Sequence, residues 1–224
     1  MKVNILTLFP GMFSNFLDFS IIKNAIEKAE LNVNLINIRD YAKGKHNKVD
    51  DYPFGGGAGM IMKPEPIYYA LKSIKNNEDL PLIYFTPQGN LLNQTAVHKY
   101  CSKKELILLC GHYKGIDHRI RQNFVDEEIS IGDYVLSGGE LPAMVFIDAI
   151  TRLQFNVLGN IESALNDSHQ DGILGCPQYT RPRDFLGLKV PQILLSGNHK
   201  KIEEWRQHKS IEITKRNRPD LLDE

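Results

Sequence analysis

The sequence contains little that would mark a secreted, membrane-bound or disulfide-stabilised protein. Its 224 residues include three cysteines, Cys101, Cys110 and Cys176, none of them in a CxxC pair. Three thiols cannot all pair within one chain, so this content favours a reducing, cytoplasmic setting. Long apolar runs are also missing. The apolar start Val3–Phe9 is cut by a Pro-Gly pair and is too short for a signal peptide or a membrane span, so no membrane association is expected.

The chain also lacks the standard phosphate-binding patterns and an overall charge. Neither Gly55–Gly59 nor the pair at 138–139 completes a GxGxxG pattern or a P-loop. The chain has 27 basic and 27 acidic residues, so its net charge does not indicate a nucleic-acid partner. Residues 181–218 differ, because they hold ten Lys or Arg against four Asp or Glu, a local charge of +6. This basic segment is either a phosphate-contacting surface or a solvated helical face.

Strand and helix patterns alternate over the first 156 residues. Apolar runs predict strands at Val3–Phe9, 31–35, Leu82–Phe85, Leu106–Cys110 and Ile129–Leu136. Helical spacing predicts helices at about 20–29, 64–74, 93–102 and 140–155. Alternation of this kind is typical of an α/β domain built on a mainly parallel sheet.

Some details of the pattern carry specific expectations. The apolar phase of the second strand slips by one residue, so this strand either ends near Leu35 or carries a bulge to Ile38. Residues 39–63 lack periodicity, which indicates a functional or disordered loop. Ser137 and Glu140 stand three apart, as in a capping box that opens the following helix.

The helical pattern weakens after about residue 156. The Gly, Asn and Ser residues within 157–175 predict a flexible interdomain linker, and 176–224 predict a small, mostly helical, basic C-terminal domain. Its helix is expected at about 199–217. Three apolar residues are expected in the core beneath this helix: Ile202, Trp205 and Ile213.

Three glycine-containing loops, 86–90, 110–117 and 131–139, follow predicted strands, and Pro87 is expected to end the third strand. Ligands of open α/β sheets bind at the carboxyl ends of strands, and glycine lets the backbone approach a ligand closely. The three loops therefore predict one enclosed cofactor site. The alternative is that each loop is simply a tight turn.

Several motifs follow one another along nearly the whole chain: Val49-Asp50-Asp51 leading into Gly55-Gly56-Gly57, Leu109-Cys110-Gly111 with Gly115-Ile116-Asp117, the stretch Ile129–Met144, Tyr179-Thr180-Arg181-Pro182, and Val190-Pro191 with Leu194–His199. In kind and in order they resemble the motifs of the TrmD family of bacterial tRNA (guanine-N1)-methyltransferases. A match of this length is highly specific.

The resemblance implies a SPOUT-type α/β fold with a mainly parallel sheet and a C-terminal trefoil knot, plus the small C-terminal domain. It also implies a homodimer with a composite active site, although nothing in the periodicity shows a knot. S-adenosylmethionine would bind in the knot. The cofactor contacts carried over from the family are Tyr84, Phe85, Thr86, Pro87, Gln88, Gly111, Tyr113, Gly115, Ile131, Gly132, Tyr134, Leu136, Gly138 and Gly139.

The implied substrate is tRNA, methylated at N1 of the guanosine immediately 3′ of the anticodon (position 37). Guanine N1 carries a proton at neutral pH, so its methylation needs a general base. The resemblance places that base at Asp167 and places a cation for the guanine O6 charge at Arg152. Taken alone, Asp167 is better explained as a loop-capping acid, and for Arg152 the alternative is an ion pair with Asp148.

The resemblance also matches three positions to tRNA contacts: Asp50, Gly59 and Ser168. For Asp50 the alternative is a turn acid, and for Gly59 it is a turn that needs a permissive backbone.

The second loop departs from the family's usual Gly-Arg-Tyr-Glu-Gly-Ile-Asp-Glu-Arg at His112, Lys114 and His118, and His169 replaces an aromatic residue. The family's glutamate at the position of Lys114 is associated with Mg²⁺-assisted catalysis, so Lys114 puts the use of Mg²⁺ in question. Two other functions stay open: a non-catalytic tRNA-binding relative, and a SPOUT enzyme that modifies another RNA site.

Overall fold

The computed structural model describes residues 1–75, 80–154, 156–157 and 167–222. The chain divides into two compact units, Met1–Gly159 and Asn160–Glu224. No helix within the described ranges is long and apolar enough to cross a membrane.

The first unit is built on a parallel sheet, as the alternating pattern predicts. Its strands are β1 (Lys2–Thr7), β2 (Asn32–Asn37), β3 (Asp50–Asp51), β4 (Ile61–Met62), β5 (Leu82–Leu91), β6 (Glu105–Cys110) and β7 (Glu127–Ser130). Five of them form one sheet in the order β2-β1-β6-β5-β7, with every neighbouring pair parallel. The short strands β3 and β4 form a separate antiparallel hairpin.

Helices cover both faces of this sheet. They are α1 (Ser14–Leu17), α2 (Ser20–Glu27), α3 (Pro64–Lys75), α4 (Gln94–Cys101), α5 (His118–Phe124) and α6 (Glu140–Thr151), with 3₁₀ turns at Pro10–Phe13 and Ile38–Tyr41. One core lies beneath α2, α4 and α6, and the other lies beneath α3 and α5.

The central strand β6 shows why the sheet is buried on both sides. Leu106, Leu108 and Cys110 belong to the first core, whereas Ile107 and Leu109 belong to the second. Successive side chains of a strand point to opposite faces, so an unbroken apolar run fits a strand covered by helices on both sides.

The second strand follows neither of the two sequence alternatives. β2 pairs with β1 in unbroken register from Asn32 to Asn37, opposite Lys2 to Thr7, so it neither ends at Leu35 nor carries a bulge. β2 is an edge strand whose last three residues are all half-buried. Because neither face is fully covered there, the apolar phase can slip without a change in the backbone.

β5 continues past the point where Pro87 was expected to end it. Phe85 and Asn90 both pair with Ile129, so residues 86–89 bulge out of the ladder before pairing resumes. Proline cannot donate to a ladder hydrogen bond and is tolerated at such a bulge. The fifth predicted strand is shorter than expected, because β7 ends at Ser130 and the following residues leave the sheet.

The start of α6 contradicts the predicted capping box. Its N-cap is Gly139, with no side-chain capping hydrogen bond. The Glu140 side chain turns into the protein instead, as described below, and Pro142 lies in the first turn as expected. The helix ends at Thr151, four residues before the predicted end.

The sequence patterns missed α5 and the hairpin within residues 39–63. Asp117 caps α5, because its carboxylate accepts a hydrogen bond from the Arg119 backbone N–H at 2.9 Å. An aspartate at the N-cap is a sequence signal that could have found this helix.

The second unit contains the hairpin β8 (Asp184–Phe185) and β9 (Leu188–Lys189), helix α7 (His199–Asn217), and 3₁₀ turns at Gln192–Leu195 and Pro219–Leu221. The predicted helix is confirmed. Ile202, Trp205 and Ile213 are only half-buried, whereas Ser210 and Thr214 are buried. The loop around Leu174 packs over Thr214, and the Thr214 hydroxyl accepts a hydrogen bond from the Leu174 backbone N–H at 3.0 Å.

Candidate active site

The three glycine-containing loops meet at one edge of the sheet and enclose a cleft of about 270 Å³. They follow or interrupt β5, β6 and β7, which are neighbours in a parallel sheet, so their carboxyl ends lie together. All the predicted cofactor residues except Gln88 line this cleft. Gln88 is placed beside it, where its side-chain oxygen accepts from the Arg121 guanidinium.

The second and third loops are joined backbone to backbone. The Gly139 N–H donates to the Gly111 carbonyl at 2.9 Å, and His112 forms an antiparallel bridge with Gly138. A Cβ at Gly139 would lie 2.8 Å from the Cα of Cys110. A side chain at this position would therefore force the loops apart and open the cleft.

The second loop is also joined to the β3–β4 hairpin. Met62 donates its backbone N–H to the Gly115 carbonyl, and Lys114 donates to the Met60 carbonyl, both at 3.0 Å. Asp50 pairs with Met62 across the hairpin. The hairpin therefore carries Asp50, a predicted tRNA contact, to the side of the predicted cofactor loops.

Gly59, the second predicted tRNA contact, lies against Lys114. Its φ of +92° is a conformation that side chains rarely adopt, and a Cβ there would lie 2.9 Å from Cγ of Lys114. The aliphatic stem of Lys114 thus packs over Gly59, and the same residue lines the cleft.

Sequence reasoning missed a buried polar cluster behind the cleft wall. Glu140 is 1% exposed, and its Oε1 accepts a hydrogen bond from the Thr7 hydroxyl at 2.7 Å. Its Oε2 lies 3.8 Å from Nε2 of His112. The cluster joins the end of β1, the second loop and the start of α6. A glutamate at the start of a mostly apolar helix was the available signal, but Thr7 lies 133 residues away.

Tyr84 gives the cleft a protonated hydroxyl. Burial raises the pKa of its phenol above the ordinary value, although the nearby Arg121 cation opposes this shift. The Arg121 guanidinium carbon lies 5.7 Å from the ring centroid, and Arg121 is itself paired with Glu128 at 2.6 Å. The hydroxyl therefore keeps its proton at neutral pH and can donate a hydrogen bond.

The two predicted catalytic residues belong to different units. Arg152 immediately follows α6 in the first unit and is exposed. Asp167 is an exposed residue of the second unit, at the start of a tight loop. Ser168 shapes this loop, because its hydroxyl accepts from the Gly175 backbone N–H at 2.8 Å. His169 has a φ of +72°.

The donors in the cleft do not fit a magnesium ion. Among the residues lining it there is no carboxylate, and Lys114 contributes an ammonium group. Mg²⁺ prefers oxygen ligands, particularly carboxylates. Across the described ranges, moreover, no group of three His, Cys, Asp or Glu side chains is arranged to hold a metal.

Comparison with known proteins gives one consistent result. The family model described as tRNA (Guanine-1)-methyltransferase TrmD matches residues 1–224. A protein of Clostridioides difficile named tRNA (guanine-N(1)-)-methyltransferase is 54% identical over 224 residues, covering 99% of this chain and 97% of the relative. Proteins of the same name from Moorella thermoacetica and Staphylococcus epidermidis are 54% and 51% identical, covering 90% and 91% of their lengths. The chain is therefore a member of the TrmD family of tRNA (guanine-1)-methyltransferases.

Proposed function

We propose that this protein transfers a methyl group from S-adenosylmethionine to N1 of guanosine 37, immediately 3′ of the anticodon of tRNA. The observation that carries the proposal is the cleft itself: nearly all the predicted cofactor residues converge on it from three separate loops. Membership of the family supplies the reaction type.

The cleft suits S-adenosylmethionine in shape and in hydrogen bonding. Gly139 lets the third loop lie directly against the 110–111 backbone, which keeps the loops close enough to enclose the cleft. Backbone N–H and C=O groups of residues 131–139 can read the adenine edge, while Leu136 and Phe85 supply apolar walls. When bound, the cofactor supplies a methyl group on a positively charged sulfonium, so the protein needs chiefly to position it.

Asp167 is proposed as the general base and Arg152 as the cation that stabilises the guanine. Asp167 would take the N1 proton as the methyl carbon bonds to N1 and its bond to sulfur breaks, with S-adenosylhomocysteine as the leaving group. The electron density left by that proton spreads to O6, where the Arg152 guanidinium stabilises it. Ser168, Asp50 and Gly59 are proposed to contact the tRNA, and the basic segment 181–218 is proposed to bind its phosphates.

A homodimer with a composite active site is part of this proposal. The helix that leads to Arg152 presents Leu141 and Val145 to the surface, each 48% exposed. The 3₁₀ turn Pro10–Phe13 packs against the same helix, next to the exposed Phe9 and Met12. Exposed apolar side chains grouped in this way mark a protein interface, and a second copy would cover them close to Arg152. The trefoil knot, the domain limits 1–156, 157–175 and 176–224, and the cytoplasmic location stay predictions.

The proposal is tested by a methyl-transfer assay with labelled S-adenosylmethionine and an unmodified tRNA transcript carrying guanosine at positions 36 and 37. The matched control is the same transcript with adenosine at position 37. Label in the first transcript alone, mapped to 1-methylguanosine at position 37, supports the proposal. Methylation of another nucleotide would favour the SPOUT enzyme of different specificity.

A second candidate, a tRNA-binding relative with little or no activity, is favoured by one observation. Lys114 lies in the cleft, whose lining contains no carboxylate, whereas the family pattern has a glutamate at this position. Binding of both cofactor and tRNA without any methyl transfer in a single-turnover assay would establish this alternative.

A further inference from the structure

The second unit contains a cavity of its own, of about 320 Å³. Tyr179 and Trp205 form an aromatic wall, with ring centroids 6.4 Å apart and ring planes tilted by 54°. His199, Glu203 and Arg206 also line it, and all three come from α7. Cavities of about 300 Å³ and more are large enough for small organic groups.

The aromatic wall is accessible rather than part of a sealed core. Tyr179 is 50% exposed, and Trp205 is only half-buried. Large aromatic side chains left open beside charged groups are typical of sites where one flat face receives a partner ring. The aromatic wall is therefore open to a ligand ring that stacks on it.

The charges around the cavity select the class of partner. The segment 181–218 carries ten basic residues and four acidic ones, and Arg206 lies at the cavity itself. Glu203 lies 3.5 Å from Arg206 and adds an acceptor next to the aromatic wall. A ligand with a flat ring, N–H donors at its edge and a phosphate attached to it would match all three features.

We propose that this cavity, hereafter the Tyr179–Trp205 cavity, binds one unstacked nucleobase of the tRNA. The base stacks on the aromatic wall, its edge donates to the Glu203 carboxylate, and Arg206 contacts an adjacent phosphate. Stacking of splayed bases on aromatic side chains is the usual way in which proteins hold single-stranded RNA. The inference rests on the proposed function, because it takes tRNA as the substrate. It adds a second site on the protein that binds the tRNA at a nucleotide other than the reacting guanosine.

The test measures tRNA affinity of the full chain for Tyr179→Ala, Tyr179→Phe and the control Phe19→Ala. Phe19 is an exposed aromatic residue that lies outside the segment 181–218 and lines neither cavity. Base–aromatic stacking predicts that Tyr179→Ala weakens binding roughly 5- to 100-fold. Tyr179→Phe and Phe19→Ala are expected to bind like the unaltered chain. An unchanged affinity for Tyr179→Ala would overturn the proposal.

Salt dependence separates stacking from phosphate binding. Tyr179→Ala is expected to lower the affinity at every salt concentration without changing the log–log slope, whereas Arg206→Gln lowers the slope by about 0.7–0.9, the value of one phosphate contact. A reduced slope for Tyr179→Ala would mean that Tyr179 only supports basic residues, and would contradict stacking. Circular dichroism and thermal unfolding of each full-length variant, measured in parallel, check that the second unit is folded.

Trp205 gives a direct readout, because it is the only tryptophan in the chain. Its fluorescence should be quenched when an anticodon-arm hairpin binds, and much less by a fully paired RNA of equal length, whose bases are not free to stack. Equal quenching by both RNAs would contradict capture of an unstacked base. If the unaltered chain binds no tRNA at all, the proposed function fails instead, so the two failures are distinguishable.

Discussion

At the scale of single residues, the cleft differs from the family pattern mainly in charge. Lys114 stands where the family has a glutamate, and its stem packs over Gly59. Lysine carries its charge on a flexible stem with three donors and no acceptor, so it can bind an anionic ligand group but cannot ligate a cation. The predicted base Asp167, in contrast, matches the family and lies in a loop of the other unit.

Exchange of Asp167 for Asn is expected to abolish methyl transfer while leaving cofactor affinity nearly unchanged. The amide keeps the shape of the side chain but cannot accept the N1 proton, and loss of a general base costs about 10²–10⁴ in rate. Single-turnover methyl transfer measures the effect, with Asp171→Asn as a control for an exposed acid of the same loop. Turnover close to normal in Asp167→Asn would remove this residue from the mechanism.

Lys114→Glu is expected to increase the dependence of activity on Mg²⁺. A carboxylate is a hard oxygen ligand suited to this ion, whereas an ammonium repels it at short range. A Mg²⁺ titration of single-turnover methyl transfer checks this, with Lys114→Met as the control that removes the charge and keeps the apolar stem. An equally steep response in the unaltered chain and in Lys114→Glu would place the metal away from residue 114.

At the scale of elements, the cleft is held by contacts between segments that are far apart in sequence. The Thr7–Glu140 hydrogen bond links the end of β1 to the start of α6, and Glu140 also faces His112 in the second loop. Backbone bonds fix the other side of this loop to the β3–β4 hairpin. The loop is thus fixed on two sides, which preorganises the cleft for its ligand.

Exchange of Glu140 for Leu should therefore lower stability and cofactor affinity together. It leaves the buried Thr7 hydroxyl without its acceptor, which costs about 1–3 kcal/mol. Denaturant unfolding and calorimetric titration with S-adenosylmethionine measure the two effects, and Glu27→Leu on the exposed side of α2 serves as the control. Unchanged cofactor affinity in a measurably destabilised Glu140→Leu protein would show that the cluster does not support the cleft.

At the scale of the whole molecule, the two units contain different functional features. The first contains the cleft and the exposed apolar face of α6. The second contains the basic segment, Asp167 and the Tyr179–Trp205 cavity. We therefore expect methyl transfer to require both units, even though the cofactor is expected to contact only one of them.

A chain ending at Gly159 is expected to bind S-adenosylmethionine but to lose tRNA binding and activity. The cleft is formed entirely within Met1–Gly159, whereas the local charge of +6 is removed with residues 181–218. Affinities for cofactor and tRNA at several salt concentrations measure this, since each phosphate contact contributes about 0.7–0.9 to the log–log slope. Equally tight tRNA binding by the shortened chain would mean that the basic segment is only a solvated surface.

Mixed dimers of Arg152→Ala and Asp167→Ala protomers should regain part of the activity that each variant loses alone. One of the two sites in such a dimer combines an intact Arg152 from one protomer with an intact Asp167 from its partner. Activity of purified, differently tagged heterodimers is the measurement, and each homodimer is the control. Complete absence of rescue would show that each site is built within one chain.

The sequence by itself determined the layout of the first unit and the place of the cleft. Local periodicity was sufficient because β6 is an unbroken apolar run and because glycine-containing loops follow adjacent parallel strands. The same local signals placed α7 at His199–Asn217. They did not settle the roles of Asp167 and Arg152, which came from the family resemblance and stay predictions.

Only the tertiary structure decided how Glu140 is used and where β5 ends. The sequence spacing predicts that Ser137 and Glu140 form a capping box. Instead the Thr7 hydroxyl donates to Glu140 from a distant segment, His112 lies beside it, and the N-cap of the helix is Gly139. Likewise the pairing of β5 with β7 is interrupted around Pro87, but β5 continues because Asn90 pairs with Ile129 beyond the bulge. Local patterns report the preferences of a few neighbouring residues, whereas burial and hydrogen bonding are settled by segments that meet only in the folded chain.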